Sequence, residues 1–136
     1  MAIDIFWLDE NQNILILKFK KTLTVQDLRF SDTISLELLA NADSAFYCIY
    51  DFSSLTSPYS LPSGLLEYIQ ETRRQSIVYA GVVIIIPKIG ELLVNSMLKI
   101  TRAVRRQNIT QIKVVNHLGV GIDYINNILL NQKRGI

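Results

Sequence analysis

Residues Tyr47–Leu66 read YCIYDFSSLTSPYSLPSGLL, and the architecture of the whole chain can be interpreted outward from them. An apolar segment, Ala45–Tyr50, predicts a strand that is apolar on both faces, which is typical of the interior of a sheet with helices on both sides. Asp51 stands at the predicted end of this strand. A connection rich in Ser and Pro follows over Phe52–Leu61, and a helix is predicted from about Pro62 to Gln75 because proline suits a first helical turn.

The other elements follow from β-branched apolar runs and from apolar residues spaced three or four apart. They are strands at Ile3–Leu8, Ile14–Phe19, Ile77–Ile86 and Thr110–Val115, and helices from Thr24 to about Asn41, at Ile89–Gln107 and at His117–Gln132. The resulting order, ββαβαβαβα, predicts an α/β fold. We expect a mixed, mainly parallel sheet whose antiparallel edge is formed by the first hairpin.

Two helices have patterns from which a buried face can be predicted. In the first helix Thr24 is a candidate N-cap, and Phe30, Ile34 and Leu38 fall four residues apart on one face, with Leu23 and Asp27 continuing the row. In the helix after the serine-rich connection, the predicted apolar face contains Leu65, Leu66 and Ile69.

Composition indicates a well-packed globule, since 49% of the 136 residues are hydrophobic and 19% are charged. We expect one domain over residues 1–136. The longest apolar run, Val82–Ile86, is too short to span a membrane, and no signal peptide is recognisable. Cys48 lies in an apolar segment and has no second cysteine to pair with, so we predict a buried thiol and a cytoplasmic protein.

Charge is unevenly distributed along the chain. Residues 1–71 carry 10 acidic and 4 basic side chains, whereas residues 72–136 carry 2 acidic and 10 basic ones. A compact α/β domain intermixes its halves, so solvated surface explains the pattern. An acidic partner for the second half and head-to-tail self-association stay open as alternatives.

Several chemistries have little support in the sequence. One histidine and one cysteine cannot supply an ordinary zinc site, and we expect no metal or cofactor. A Ser/His/Asp triad would have to use His117, the only histidine, and the sequence has no GxSxG element. Gly119-Val120-Gly121 lacks the third glycine of a dinucleotide fingerprint. A basic stripe is typical of the solvated face of a helix, and it gives little reason to expect nucleic acid; its members are Lys99, Arg102, Arg105 and Arg106.

Hydroxyl side chains crowd the serine-rich connection, at the carboxyl edge of the predicted sheet where ligands and partners tend to bind. Loop and capping chemistry explains many of them. The alternative is a partner surface formed by Asp51, Ser53, Tyr59, Ser60, Ser63 and Gly64. Within it, Ser63 is a candidate phosphorylation site, because the backbone N–H groups of a first helical turn favour a phosphate.

The order of elements and this connection together resemble the STAS domain, the fold of bacterial anti-sigma-factor antagonists. In that family a strand ends in Asp-Leu-Ser, and an Asp-Ser-Ser-Gly-Leu motif opens a helix whose serine before the glycine is phosphorylated. Asp51-Phe52-Ser53 is similar to the first motif, and Ser63-Gly64-Leu65 to the second. The loop is two residues longer here, and Leu61-Pro62 replaces Asp-Ser. In this the chain more closely resembles STAS-like bacterial proteins of unassigned role, which have a proline in this loop.

The resemblance implies a regulatory module without enzymatic activity, one that binds a protein partner such as a regulatory kinase or a sigma-regulatory protein. It further implies Ser63 as the phosphosite. The alternative is a small-ligand-binding domain of the same fold that uses the edge near Tyr59. A homodimer also stays open, and an exposed apolar patch on the first hairpin or on the helix after Thr24 would favour it.

Overall fold

A computed structural model describes residues 3–58, 60–72, 79–105 and 112–133 of the chain, with side chains through residue 103 in the third range. The strands are β1 (Ile3–Trp7), β2 (Ile14–Lys21), β3 (Tyr47–Leu55), β4 (Gly81–Ile85) and β5 (Ile112–Val115). The helices are α1 (Val25–Ala40), α2 (Leu65–Glu71), α3 (Glu91–Arg105) and α4 (Leu118–Lys133), and a 3₁₀ turn at Lys88–Gly90 precedes α3. This element order confirms the predicted α/β class.

The strands form one mixed sheet in the order β1-β2-β3-β4-β5. β1 is antiparallel to β2, and every later pair is parallel, which confirms the antiparallel edge expected of the hairpin. Each right-handed crossover moves one strand further in the same direction, so α1, α2 and α3 lie on one face. The strand order never reverses, so this sheet has no topological switch point to mark a crevice.

The sheet is covered on both faces. Cys48, fully buried as predicted, and Phe52 point into the larger core beneath α1, α2 and α3. Tyr47 and Ile49, the alternate residues of β3, point into a second core that is closed by Ile125 of α4. This alternation explains why the central strand is apolar on both sides.

The buried face of α1 agrees only in part with the predicted row, of which Asp27 is buried and Phe30 and Leu38 pack against the core. Its buried residues are Asp27, Leu28, Ser31 and Ser35. Phe30, Ile34 and Leu38 are only half-buried. Ser31 and Ser35 are both 0% exposed, and the Ser31 hydroxyl donates to the Leu28 carbonyl at 2.8 Å, so small polar side chains stand at the centre of the buried face.

The start of α1 agrees with the sequence, because the Thr24 hydroxyl accepts the Asp27 N–H at 3.1 Å. The strand predicted at Ile77–Ile86 is found as β4, and its first two residues lie outside the described ranges. In the part of the chain that the structure describes, no helix is both long enough and apolar enough to cross a membrane.

Candidate functional site

The carboxyl edge of the parallel strands is where the connections into α1, α2 and α3 begin. Two close approaches pack the β3–α2 connection against its neighbours. A Cβ built on Gly64 would lie 3.8 Å from a methyl group of Val25, at the start of α1. A Cβ built on Gly90 would lie 3.1 Å from Pro58 Cβ, just before α3. The connection therefore lies against the starts of both helices.

Asp51 is inside β3 and not at its end, which corrects the predicted strand boundary. β3 continues to Leu55, and the pairing between β2 and β3 shifts by one residue after Asp51. At this bulge the Asp51 carboxylate accepts the backbone N–H of Ser53 at 2.9 Å and the Ser53 hydroxyl at 2.6 Å. The carboxylate thus supplies an acceptor where the strand ladder is disrupted.

α2 begins later than the sequence predicts. Pro62 is buried, and its carbonyl accepts the Leu65 N–H at 3.2 Å in a turn that precedes the helix. Gly64 has φ +81°, a left-handed conformation that ends this turn and keeps Ser63 outside the helix. Ser63 is exposed. Its position is therefore a tight, exposed turn and not the first helical turn that was expected.

The members of the candidate partner surface separate into two groups. Ser53, Ser60, Ser63 and Gly64 are exposed. Asp51 is only 3% exposed, so it supports the connection from the interior through Ser53. Tyr59, on which the ligand-binding alternative also depends, lies outside the described residues.

Large apolar side chains are exposed around the same edge, and the sequence did not predict this. They are Leu61 at 42%, Leu66 at 45%, Ile89 at 67% and Leu92 at 75% exposure, and we call them the apolar edge surface. Leu61 precedes α2 and Leu66 lies in its first turn. Ile89 lies in the 3₁₀ turn before the neighbouring α3, and Leu92 lies in the first turn of α3. The sequence predicts Leu65, Leu66 and Ile69 on the buried face of this helix, but of these three only Leu65 and Ile69 are buried.

Side chains of α1 and α2 join the two helices and so fix where α2 begins. The Tyr68 hydroxyl donates a hydrogen bond to the Asp32 carboxylate. Arg29 lies 5.0 Å from the centre of the Tyr68 ring, and its Nη2 is 3.0 Å from Glu71 Oε2. Tyr68 is 4% exposed and Asp32 is half-buried, so their hydrogen bond is less exposed to water than the ion pair is.

A cluster of weak acids lies in the larger core, with Cys48 and Tyr79 buried and Tyr50 half-buried. The hydroxyl oxygens of Tyr50 and Tyr79 are 3.2 Å apart. Burial is the main cause that raises the pKa of both tyrosines and of the Cys48 thiol well above their ordinary values. A thiol held in its protonated form and shielded from solvent is a poor nucleophile, so Cys48 packs as a small apolar residue.

His117 precedes α4 and accepts a hydrogen bond at its start. It is exposed, and its Nδ1 accepts the Gly119 N–H at 3.0 Å, which gives the helix a side-chain acceptor at its first turn. Lys99 and Arg102 of the basic stripe are exposed on α3, while the side chains of Arg105 and Arg106 lie outside the described part.

Within the described ranges, no three His, Cys, Asp or Glu side chains are grouped so that they could hold a metal ion. Comparison with known proteins finds no family model, curated protein or solved structure that matches the chain.

Proposed function

We propose that this chain is a STAS-like module of a bacterial regulatory system, without enzymatic activity of its own, and that it binds a protein partner through the apolar edge surface. The observation that carries the proposal is the exposure of four large apolar side chains around the starts of α2 and α3. Grouped exposed apolar residues on a small domain mark sites of protein interaction more often than isolated ones do.

The STAS assignment is supported by the order of elements and by two positions in the chain. The mixed sheet has its antiparallel strand at one edge. Asp51-Phe52-Ser53 lies on β3, and Ser63-Gly64-Leu65 leads into α2. In this interpretation the partner is a regulatory kinase or a sigma-regulatory protein, as the resemblance implies.

Phosphorylation of Ser63 is the proposed switch, and it acts by disrupting the interface. Ser63 stands between exposed Leu61 and exposed Leu66 in the chain. A phosphate adds a charge of about −1.5 to −2 at neutral pH, and burying it in an apolar interface is costly. Glu67, in the first turn of α2, adds a second exposed negative charge to the same surface. Phosphorylated chain should therefore release the partner.

The switch is tested by measuring partner affinity for the wild type, Ser63→Asp and Ser63→Ala. Ser63→Asp should weaken binding about tenfold or more, which corresponds to about 1.4 kcal/mol. Ser63→Ala keeps the surface neutral and should bind like the wild type. Equal affinity of all three proteins would exclude Ser63 as the switch.

A further inference from the structure

The outer side of β1 is an unpaired sheet edge. In the described part of the chain β1 pairs only with β2. The Leu8 N–H donates to the Ile14 carbonyl at 2.9 Å, and Trp7 is opposite Leu15, which fixes the phase of the antiparallel ladder. Backbone groups alternate in direction along such a strand. The N–H and C=O groups of the odd-numbered residues, Ile3, Ile5 and Trp7, therefore point to the free edge.

This edge has few of the features that keep edge strands of monomers apart. β1 is regular over Ile3–Trp7 and contains no proline and no bulge. Its one charged side chain, Asp4, forms an ion pair with Lys20 of the adjacent strand. Phe6 is 45% exposed on the α4 side of the sheet. The opposite edge strand, β5, is shorter and carries an exposed lysine, Lys113.

One flank of α1 extends the apolar character of the edge. The residues of α1 that contact or approach α2 and the turn before it are Val25, Arg29 and Asp32. At 3.6 residues per turn, Phe30, Ile34 and Leu38 lie on the opposite flank. The α2 side is the β3–β4 side of the sheet, so this half-buried flank lies on the side of β1. The serines at the centre of α1 leave these apolar residues at the margin of the core.

We propose that two copies of this chain associate through their β1 strands, antiparallel and about a twofold axis at Ile5, into one continuous sheet. Ile5 pairs with Ile5 of the second copy, and Ile3 pairs with Trp7 of the second copy. Every outward N–H and C=O group of the three odd-numbered residues then gains a partner. The two α1 helices lie on the same side of the sheet, with their apolar flanks toward the seam.

The register itself favours a second copy as the occupant, because the edge is complementary to itself about Ile5. A twofold axis at Asp4 would place two carboxylates opposite each other, which is destabilising. An axis at Phe6 would leave Ile3 without a partner in the strand. The axis at Ile5 places Asp4 opposite Phe6 of the second copy and separates the carboxylates. This surface is distinct from the apolar edge surface, so dimerisation does not depend on the proposed function.

The test is the mass of the native protein by light scattering after size exclusion, for the wild type, Ile5→Pro and Ile5→Ala. The wild type should be a dimer. Ile5→Pro removes the outward N–H at the twofold axis but no donor to β2, and it should be a monomer with unchanged circular dichroism. Ile5→Ala also removes the isoleucine side chain but keeps the backbone N–H, and it should remain a dimer. A monomeric wild type, or a dimeric Ile5→Pro, would overturn the proposal.

Cross-linking gives an independent readout if Ile5→Pro fails to fold. Directly opposed residues of a hydrogen-bonded antiparallel pair have Cα atoms about 5.5 Å apart, which a disulfide can span. Under mild oxidation Ile5→Cys should form a covalent dimer, whereas Asp4→Cys, offset from its counterpart by two positions, should not. The wild type is the blank, since Cys48 is buried. Failure of Ile5→Cys to cross-link, or equal cross-linking of Asp4→Cys, would contradict the register.

Discussion

The Tyr68 hydroxyl donates a hydrogen bond to the Asp32 carboxylate, and this bond joins α2 to α1 beneath the turn that carries Ser63. Tyr68 lies one helical turn after Gly64, and its backbone N–H donates to the Gly64 carbonyl at 3.0 Å. The same residue therefore holds the helix to its neighbour and closes its first turn. The position of the exposed serine depends on this buried side chain.

Tyr68→Phe should lower the free energy of unfolding by about 1.5–3 kcal/mol, because it removes a part-buried hydrogen bond to a carboxylate and retains the ring. Urea unfolding followed by circular dichroism measures this difference. The matched control is Glu71→Ala, which breaks the exposed ion pair with Arg29 and should cost less than about 1 kcal/mol. Equal losses in the two variants would show that the part-buried hydrogen bond has no special weight.

Gly64→Ala should destabilise the protein by about 1–2 kcal/mol, because its φ of +81° is a conformation that a Cβ disfavours. The space at this position is adequate, since a Cβ would meet only a Val25 methyl at 3.8 Å, so the cost is one of backbone conformation. Ser63→Ala, one residue earlier and exposed, serves as the control and should be close to neutral. Urea midpoints that are the same for the two variants would mean that the turn relaxes without cost.

Alkaline pH should destabilise the fold through its buried weak acids. Cys48, Tyr50 and Tyr79 have native pKa values raised above the ordinary values of 9.0 for the thiol and 10.0 for the phenols. Above those values the unfolded chain loses protons that the native protein keeps, so the free energy of unfolding falls with pH. The stabilisation is complete below about pH 9. Above its own ordinary pKa, each group lowers the free energy of unfolding by about 1.4 kcal/mol per pH unit.

Tyr79→Phe checks this account, because it should make the alkaline slope shallower by the contribution of one group. The measurement is the free energy of unfolding in urea between pH 8 and pH 11, and the comparison is of slopes, since the substitution also changes stability at neutral pH. A slope unchanged by Tyr79→Phe would mean that Tyr79 does not take part.

Most of the fold could be predicted from the sequence, because the β-branched runs specify the strands locally. The strict alternation of strands and helices determined the parallel order, and Thr24 marked the start of α1. The buried face of α1 could not be predicted from spacing, because two of its four buried residues are the serines Ser31 and Ser35, a residue type that is mostly exposed. Spacing identifies apolar residues on a helix, but it contains no information about the size of the side chains opposite.

The positions of the candidate site residues were predicted only in part, and their role stays a prediction. Ser63 and Gly64 lie at the expected edge, whereas Asp51 is buried inside β3. The cause is the bulge, where the Asp51 carboxylate accepts the N–H of Ser53 and the strand continues past it. Nothing in the neighbouring sequence predicted that Leu66 is exposed, because a leucine in an amphipathic helix is ordinarily interpreted as a core residue.

The most direct test of the proposed partner surface is the affinity of the chain for a protein of the proposed partner class, a regulatory kinase or a sigma-regulatory protein. The purified partner is titrated with the wild type, Leu66→Lys and Leu130→Lys by calorimetry. Leu66 and Leu130 are both helical leucines, 45% and 46% exposed, but Leu130 lies on α4, away from the apolar edge surface. We expect Leu66→Lys to weaken binding at least tenfold, about 1.4 kcal/mol, and Leu130→Lys to bind like the wild type. Unchanged affinity for Leu66→Lys, or an equal loss in both variants, would contradict the account.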